Sequence, residues 1–242
     1  MLKARSSGLL LMLALVAAAC GGYQSAAPEP AAPPTPSAAD EGSREPANPL
    51  DVIIEDYGFG KSIEDDDFLT YGVILANPNP STWAASGVQL ELTWFDDSGS
   101  VVGRETARIY LILPGQRAAR AGRTFDVDSA LASSLRVQLR TSDWLDIGPG
   151  PYGGLEVTDV TLRDDSVTGQ VRSTFDAELE MLGAFAVFRD DAGKITGGWS
   201  EPYGIDFIPP GGQASVQVYR PDDFEASTAE LFVQPNSLSF PD

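Results

Sequence analysis

Two eleven-residue phrases, TWFDDSGSVVG at 93–103 and VFRDDAGKITG at 187–197, each hold adjacent aspartates followed by glycine. Carboxylate oxygens are the hard ligands that calcium takes, so Asp96/Asp97 and Asp190/Asp191 could bind a cation. The run Glu64-Asp65-Asp66-Asp67 and the pairs Asp164/Asp165 and Asp222/Asp223 offer the same chemistry. None has the alternating D-x-D-x-D-G spacing and later bidentate glutamate of an EF-hand loop. A structural reading competes: aspartate opens a turn by bonding its own backbone, and glycine supplies the positive φ that closes it. It predicts two equivalent hairpins and a solvated acidic loop. No metal site is assigned, and Asp65, Asp66 and Asp67 stand as candidate ligands only.

Other site chemistry is narrowed by composition. With no histidine, Ser-His-Asp and Cys-His nucleophile systems and histidine-containing zinc sites are excluded. There is no G-x-S-x-G elbow or Walker-type glycine loop, and neither Lys61 nor Lys194 sits in an S-x-x-K setting. Paired-carboxylate glycosidase chemistry stays open, because two acids need only be close in space. The expectation is a non-enzymatic protein without a cofactor. Trp83 and Trp199, each beside glycine- or proline-rich turns, could cover a sugar face, against the reading that they pack at strand ends.

The single cysteine is Cys20. It follows basic Lys3 and Arg5, a short apolar run from Gly8 to Val16, and Ala17-Ala18-Ala19, the pattern of a secretory leader too short to cross a bilayer of ~30 Å hydrocarbon. The string VAAAC resembles the lipobox of bacterial lipoproteins, departing from it in having Ala17 where leucine is preferred. The resemblance implies acylation of Cys20, about 0.8 kcal/mol of anchoring per buried methylene, and an exported protein on the cell surface or in the periplasm. The formal net charge of -19 repels phosphate backbones and anionic head groups. The expected partners are the membrane, through the Cys20 lipid, and an unknown envelope or extracellular protein, with no nucleic acid.

These residues must be positioned by something. Residues 1–19 read as the leader and 20–48 as a Pro/Ala-rich disordered tether, which at about 3.1 Å per residue could reach roughly 80 Å. From Leu50 onward short Val-, Ile-, Leu-, Thr- and aromatic-rich segments alternate with turn signals. Val88, Leu90, Leu92 and Trp94 share one parity, so a strand turns them all to a core. Strands are also predicted over 70–77, 107–113 and 134–141, with one turn of helix at most, over 128–134. The pattern restarts after GPGPYGG, with LEVTDVTL, TGQVRST and MLGAFAVF. Gly72 pairs with Gly169, Gly99 with Gly193, and Pro114-Gly115 with Pro210-Gly211, at displacements of 97, 94 and 96 residues. The prediction is an all-β chain: tandem antiparallel immunoglobulin-like β-sandwiches over 49–147 and 155–242, joined by a linker at 148–154.

The repeated unit, with Leu92-Thr93-Trp94-Phe95-Asp96 in one copy and Ala186-Val187-Phe188-Arg189-Asp190 in the other, resembles the FxLYD domain over residues 50–147 and 155–240. That resemblance implies a small immunoglobulin-like module of exported bacterial proteins, and no particular chemistry. The expected function is a cell-envelope lipoprotein presenting two sandwich modules for protein interaction or structural support. The alternative is a calcium- or glycan-binding surface module using the acidic loops and Trp83/Trp199.

Overall fold

The computed structural model describes residues 48–61, 68–148, 153–221 and 226–235. Within these, twelve strands and no helix are found. Strands β1 (Ile53–Lys61), β2 (Leu69–Ala76), β3 (Trp83–Phe95), β4 (Val101–Ile112), β5 (Arg117–Thr124) and β6 (Ser134–Asp146) build one sandwich. Its sheets run β1-β2-β5 and β4-β3-β6. Strands β7 (Leu155–Leu162), β8 (Ser166–Ser173), β9 (Leu179–Arg189), β10 (Ile195–Ile208), β11 (Gln213–Tyr219) and β12 (Thr228–Pro235) build the other. Its sheets, β7-β8-β11 and β10-β9-β12, copy the first strand for strand. Every pairing is antiparallel. This is the all-β, immunoglobulin-like sandwich architecture expected from the sequence.

The alternation in β3 does what its spacing requires. Val88, Leu90, Leu92 and Trp94 are fully buried beside Tyr71, Ile109 and Val137, each large side chain contributing about 1.5–3 kcal/mol. Trp94 meets Tyr71 edge-on, centroids 6.1 Å apart. In the second copy Leu182, Ala184, Ala186 and Phe188 take the same role. The NPNP signal after β2 works through its side chains: Asn77 Nδ2 donates to the carbonyls of Trp83 at 2.8 Å and Ile112 at 3.0 Å. Asn79 Nδ2 donates to Asn77 Oδ1 at 2.8 Å and to the Leu50 carbonyl at 2.9 Å. Two buried amides thus satisfy backbone acceptors at the start of β3, at the end of β4 and ahead of β1.

The duplicated phrases are equivalent hairpins. Asp96 N–H donates to the Ser100 carbonyl at 2.9 Å and Gly99 N–H to the Asp96 carbonyl at 3.0 Å; Asp190 with Lys194, and Gly193 with Asp190, repeat this at 3.0 and 2.9 Å. Gly99 and Gly193 hold φ of +81° and +80°. The Pro-Gly steps match too, Gly115 and Gly211 having φ of +68° and +63°.

One expected landmark is out of register. The pairings Ala76 with Arg117 and Arg172 with Gln213 relate β2 to β8 by 96 residues, so Gly72 corresponds to Thr168 and not to Gly169. Strand faces alternate, so a slip of one residue exchanges them. Gly72 lies on the outer face of its sheet, against Val187 and Gly197, whereas Gly169 faces inward against Leu231.

Candidate functional site

The outer face of β1-β2-β5 packs on the outer face of β10-β9-β12, and the described residues all fall in one compact unit. Ile74, Ala119 and Ala121 from the first sandwich meet Phe185, Val187, Ile195 and Phe232 from the second in a core of their own. Glycine lets the sheets close. A Cβ on Gly58 would stand 2.2 Å from the Ile195 carbonyl oxygen, and one on Gly198 would stand 2.8 Å from Ala121 Cβ. The Gln234 side chain completes the β5 edge by accepting from Ala119 N–H and donating to its carbonyl. At the rim, carboxylates and guanidinia alternate: Glu55, Arg117, Glu230, Arg189 and Asp56 are linked at 2.6, 3.2, 2.8 and 2.5 Å. Partial burial lowers the pKa values of Arg117 and Arg189, but their acidic partners outweigh it and hold both above the ordinary guanidinium value.

The seam joins unlike faces of the repeat. At the 96-residue displacement of β2/β8 and β5/β11, the apolar Ile74, Ala119 and Ala121 correspond to exposed Gln170, Ser215 and Gln217. At the 94-residue displacement of β3/β9 and β6/β12, Phe185, Val187 and Phe232 correspond to Glu91, Thr93 and Gln138. Each copy is therefore apolar on the face it buries and polar on the face it leaves outside. The outer face of β7-β8-β11 is a shallow surface where Gln170 Nε2 donates to Ser215 Oγ at 3.0 Å, with Asp159 and Arg163 at its border. The outer face of β4-β3-β6 is different: it carries exposed Arg104, Arg108, Arg136 and Arg140.

The residues singled out in the sequence are dispersed. Asp96 Oδ1 accepts from Ser98 Oγ at 2.7 Å and from the N–H groups of Ser98 at 2.9 Å and Ser100 at 2.8 Å, and these bonds, the Ser98 hydroxyl first, hold its carboxyl below the usual range. Asp190 Oδ1 accepts from Ala192 at 3.0 Å and Lys194 at 2.9 Å. Both first aspartates are thus committed to their turns. Among the described residues no group of three or more His, Cys, Asp or Glu could hold a metal ion. Cys20, Asp65, Asp66, Asp67, Asp222 and Asp223 lie outside the described residues.

Trp83 and Trp199 do not share a platform. Asn77, just after β2, bonds the Trp83 carbonyl, while Phe68, just before β2, has its ring 6.5 Å from Trp199; eight intervening residues span about 25 Å. Trp199 packs against the second core, with the Tyr219 ring 5.6 Å away and the Arg123 guanidinium 5.2 Å over its ring. The sequence reading missed Arg123 because β5, RAARAGRT, is rich in alanine and arginine and carries no strand signal. It also missed a polar group inside the first sandwich. There the Tyr71 hydroxyl donates to Glu105 Oε1 at 2.9 Å, and burial above all raises the tyrosine pKa.

No family model and no curated protein matches the chain. Among solved structures, red sea bream transglutaminase is similar at 12% identity over 74% of this chain and 28% of that one, with a TM-score of 0.25. A likeness at that score bears on neither fold nor activity.

Proposed function

We propose that this chain is a non-enzymatic cell-envelope lipoprotein, anchored through Cys20, whose two sandwiches act together as one interaction or support module. The observation that carries the reading is the seam. Domains in one chain move relative to one another by default unless their interface is large and hydrophobic. Here the interface has its own buried core and a side-chain-to-backbone clasp. A pair fixed in this way holds its two outer faces at a constant separation, as a scaffold requires. The VAAAC string and the Pro-rich segment before the first strand supply the anchor and the reach.

Radiolabelled palmitate fed to cells making the full chain should enter the protein, and should fail to enter Cys20→Ser. Absence of label in the natural chain would remove the anchor. Crosslinking on intact cells should give reproducible protein neighbours, and turnover of a substrate by the purified chain would overturn the non-enzymatic reading. Arg123 over Trp199 leaves one ring face unavailable to a sugar, which weighs against the glycan alternative. The calcium alternative is tested by thermal denaturation with millimolar ion and with chelator, where no shift in midpoint is expected.

A further inference from the structure

We propose that the outer face of β4-β3-β6 docks an extended acidic polypeptide segment of a partner protein. The inference rests on the reading of this chain as an interaction module and names the surface and chemistry of the contact. Arg104 and Arg136 flank Thr93 in one row across the sheet. Thr106, Glu91 and Gln138 form the next row, and Arg108 stands beside Gln89 in a third. Strands about 4.8 Å apart rising about 3.4 Å per residue place Arg104 about 10 Å from Arg136 and about 14 Å from Arg108.

These arginines are not used up within the molecule. Arg140 is paired with Glu91, but among the described residues no carboxylate lies within ion-pairing distance of Arg104, Arg108 or Arg136. Asp143 is the other acid nearby, close to the Arg108 side chain beside Gly87. Arg136 lies 4.9 Å over the Phe95 ring and Arg108 5.8 Å over Tyr110. Stacking on rings orients guanidinium forks for bidentate bonds to carboxylates. The same positions in the second copy carry Glu230 for Arg136 and Gly198 for Arg104, so the cationic row belongs to the outward face alone.

Three features favour a polypeptide over other polyanions. In an extended chain alternate side chains fall on one face about 7 Å apart, so acids four residues apart match the Arg104/Arg136 row and the Arg108 row, with the side chain between them over Thr106, Glu91 and Gln138. Strand β4 ends its sheet, and its free edge offers backbone groups to an added strand. Thr106, Gln89 and Gln138 lie between the arginines as neutral hydrogen-bonding neighbours.

The net charge of -19 opposes any acidic partner at long range, and screening decides the contest. The Debye length is about 30 Å at ~0.01 M salt, where the whole molecule repels, about 8 Å at ~0.15 M, where the local arginines dominate, and about 3 Å at ~1 M, where neither acts. Affinity should therefore pass through a maximum at intermediate salt.

The test titrates the full chain into fluorescein-labelled poly-L-glutamate at those three salt levels. Binding should be tightest at the middle one, fall at least tenfold in R104Q/R136Q, and rise several-fold in E91Q, which frees Arg140. R163Q/R172Q, altered away from this face, should bind as the natural chain does. No binding at any salt, or equal binding by R104Q/R136Q with an unchanged melting profile, would overturn the proposal. So would tighter, Arg104-dependent capture of heparin or of phosphatidylglycerol vesicles, which would assign the face to another polyanion. Reproducible crosslinked neighbours without poly-L-glutamate binding would leave the scaffold reading standing and this one refuted; absence of such neighbours would count against the scaffold itself.

Discussion

The side-chain amide of Gln234 exchanges two hydrogen bonds with the backbone of Ala119, accepting from its N–H and donating to its carbonyl, each at 3.1 Å across 115 residues of sequence. The amide imitates a strand at the point where β5 runs out of partners.

Gln234→Leu keeps the volume and removes both bonds, leaving a buried donor and acceptor unpaired. At about 1–3 kcal/mol for each stranded group, the variant should lose about 2–6 kcal/mol in urea unfolding. A loss under about 0.5 kcal/mol, the level of an ordinary surface substitution, would mean that water replaces the amide.

Phe185 is buried in the seam and belongs to neither sandwich interior. Phe185→Ala should cost about 3–5 kcal/mol, and because the loss falls between the sandwiches, calorimetry should show one transition becoming two. A single transition displaced to lower temperature would show that the halves cannot fold apart.

Glycine substitutions separate strain from collision. Gly99→Ala and Gly193→Ala meet no atom within 4 Å and carry only the cost of a positive φ, about 1–2 kcal/mol each. Gly58→Ala drives a Cβ into the Ile195 backbone and should cost more than either. Thermal midpoints of the three variants give the order directly.

The Asp96 carboxyl is held below its ordinary value of 3.8. A depressed folded-state pKa gives stability that is present above the unfolded value and lost as pH falls through the folded one. The natural chain should therefore lose more stability than Asp96→Asn on going from about pH 5 to about pH 3. The group is fully exposed, so the difference will be small, and a carboxyl chemical-shift titration is the sharper measurement.

Much of the fold could be read from residue order because period-two alternation and turn chemistry are local. Trp94, Gly99 and Gly115 declare their roles within a few residues of themselves, and their second copies confirm the spacing. The seam was not legible, since MLGAFAVF is apolar at both parities and does not say which of Ala186 and Val187 faces its own core. The Gly72–Gly169 match failed for a related reason: glycine carries no side chain to reveal its face, and one residue of slip is invisible until the ladder is known. The arginine face escaped notice because Arg104, Arg108, Arg136 and Arg140 come from two separated strands, and only the register with β3 gathers them.

The seam is a head-to-tail contact, and such contacts have no built-in limit, because each copy added offers the next one the same face. What stops growth is written in a few side chains. For the top of one molecule to accept the bottom of another, Gln170, Ser215 and Gln217 would have to become Ile, Ala and Ala, Glu91, Thr93 and Gln138 would have to become Phe, Val and Phe, and Arg104 would have to give way to the glycine that Gly198 supplies in the seam. The natural chain is in this sense a fibre of length two, and the polar and cationic side chains on its two outer faces do not offer the seam a second time.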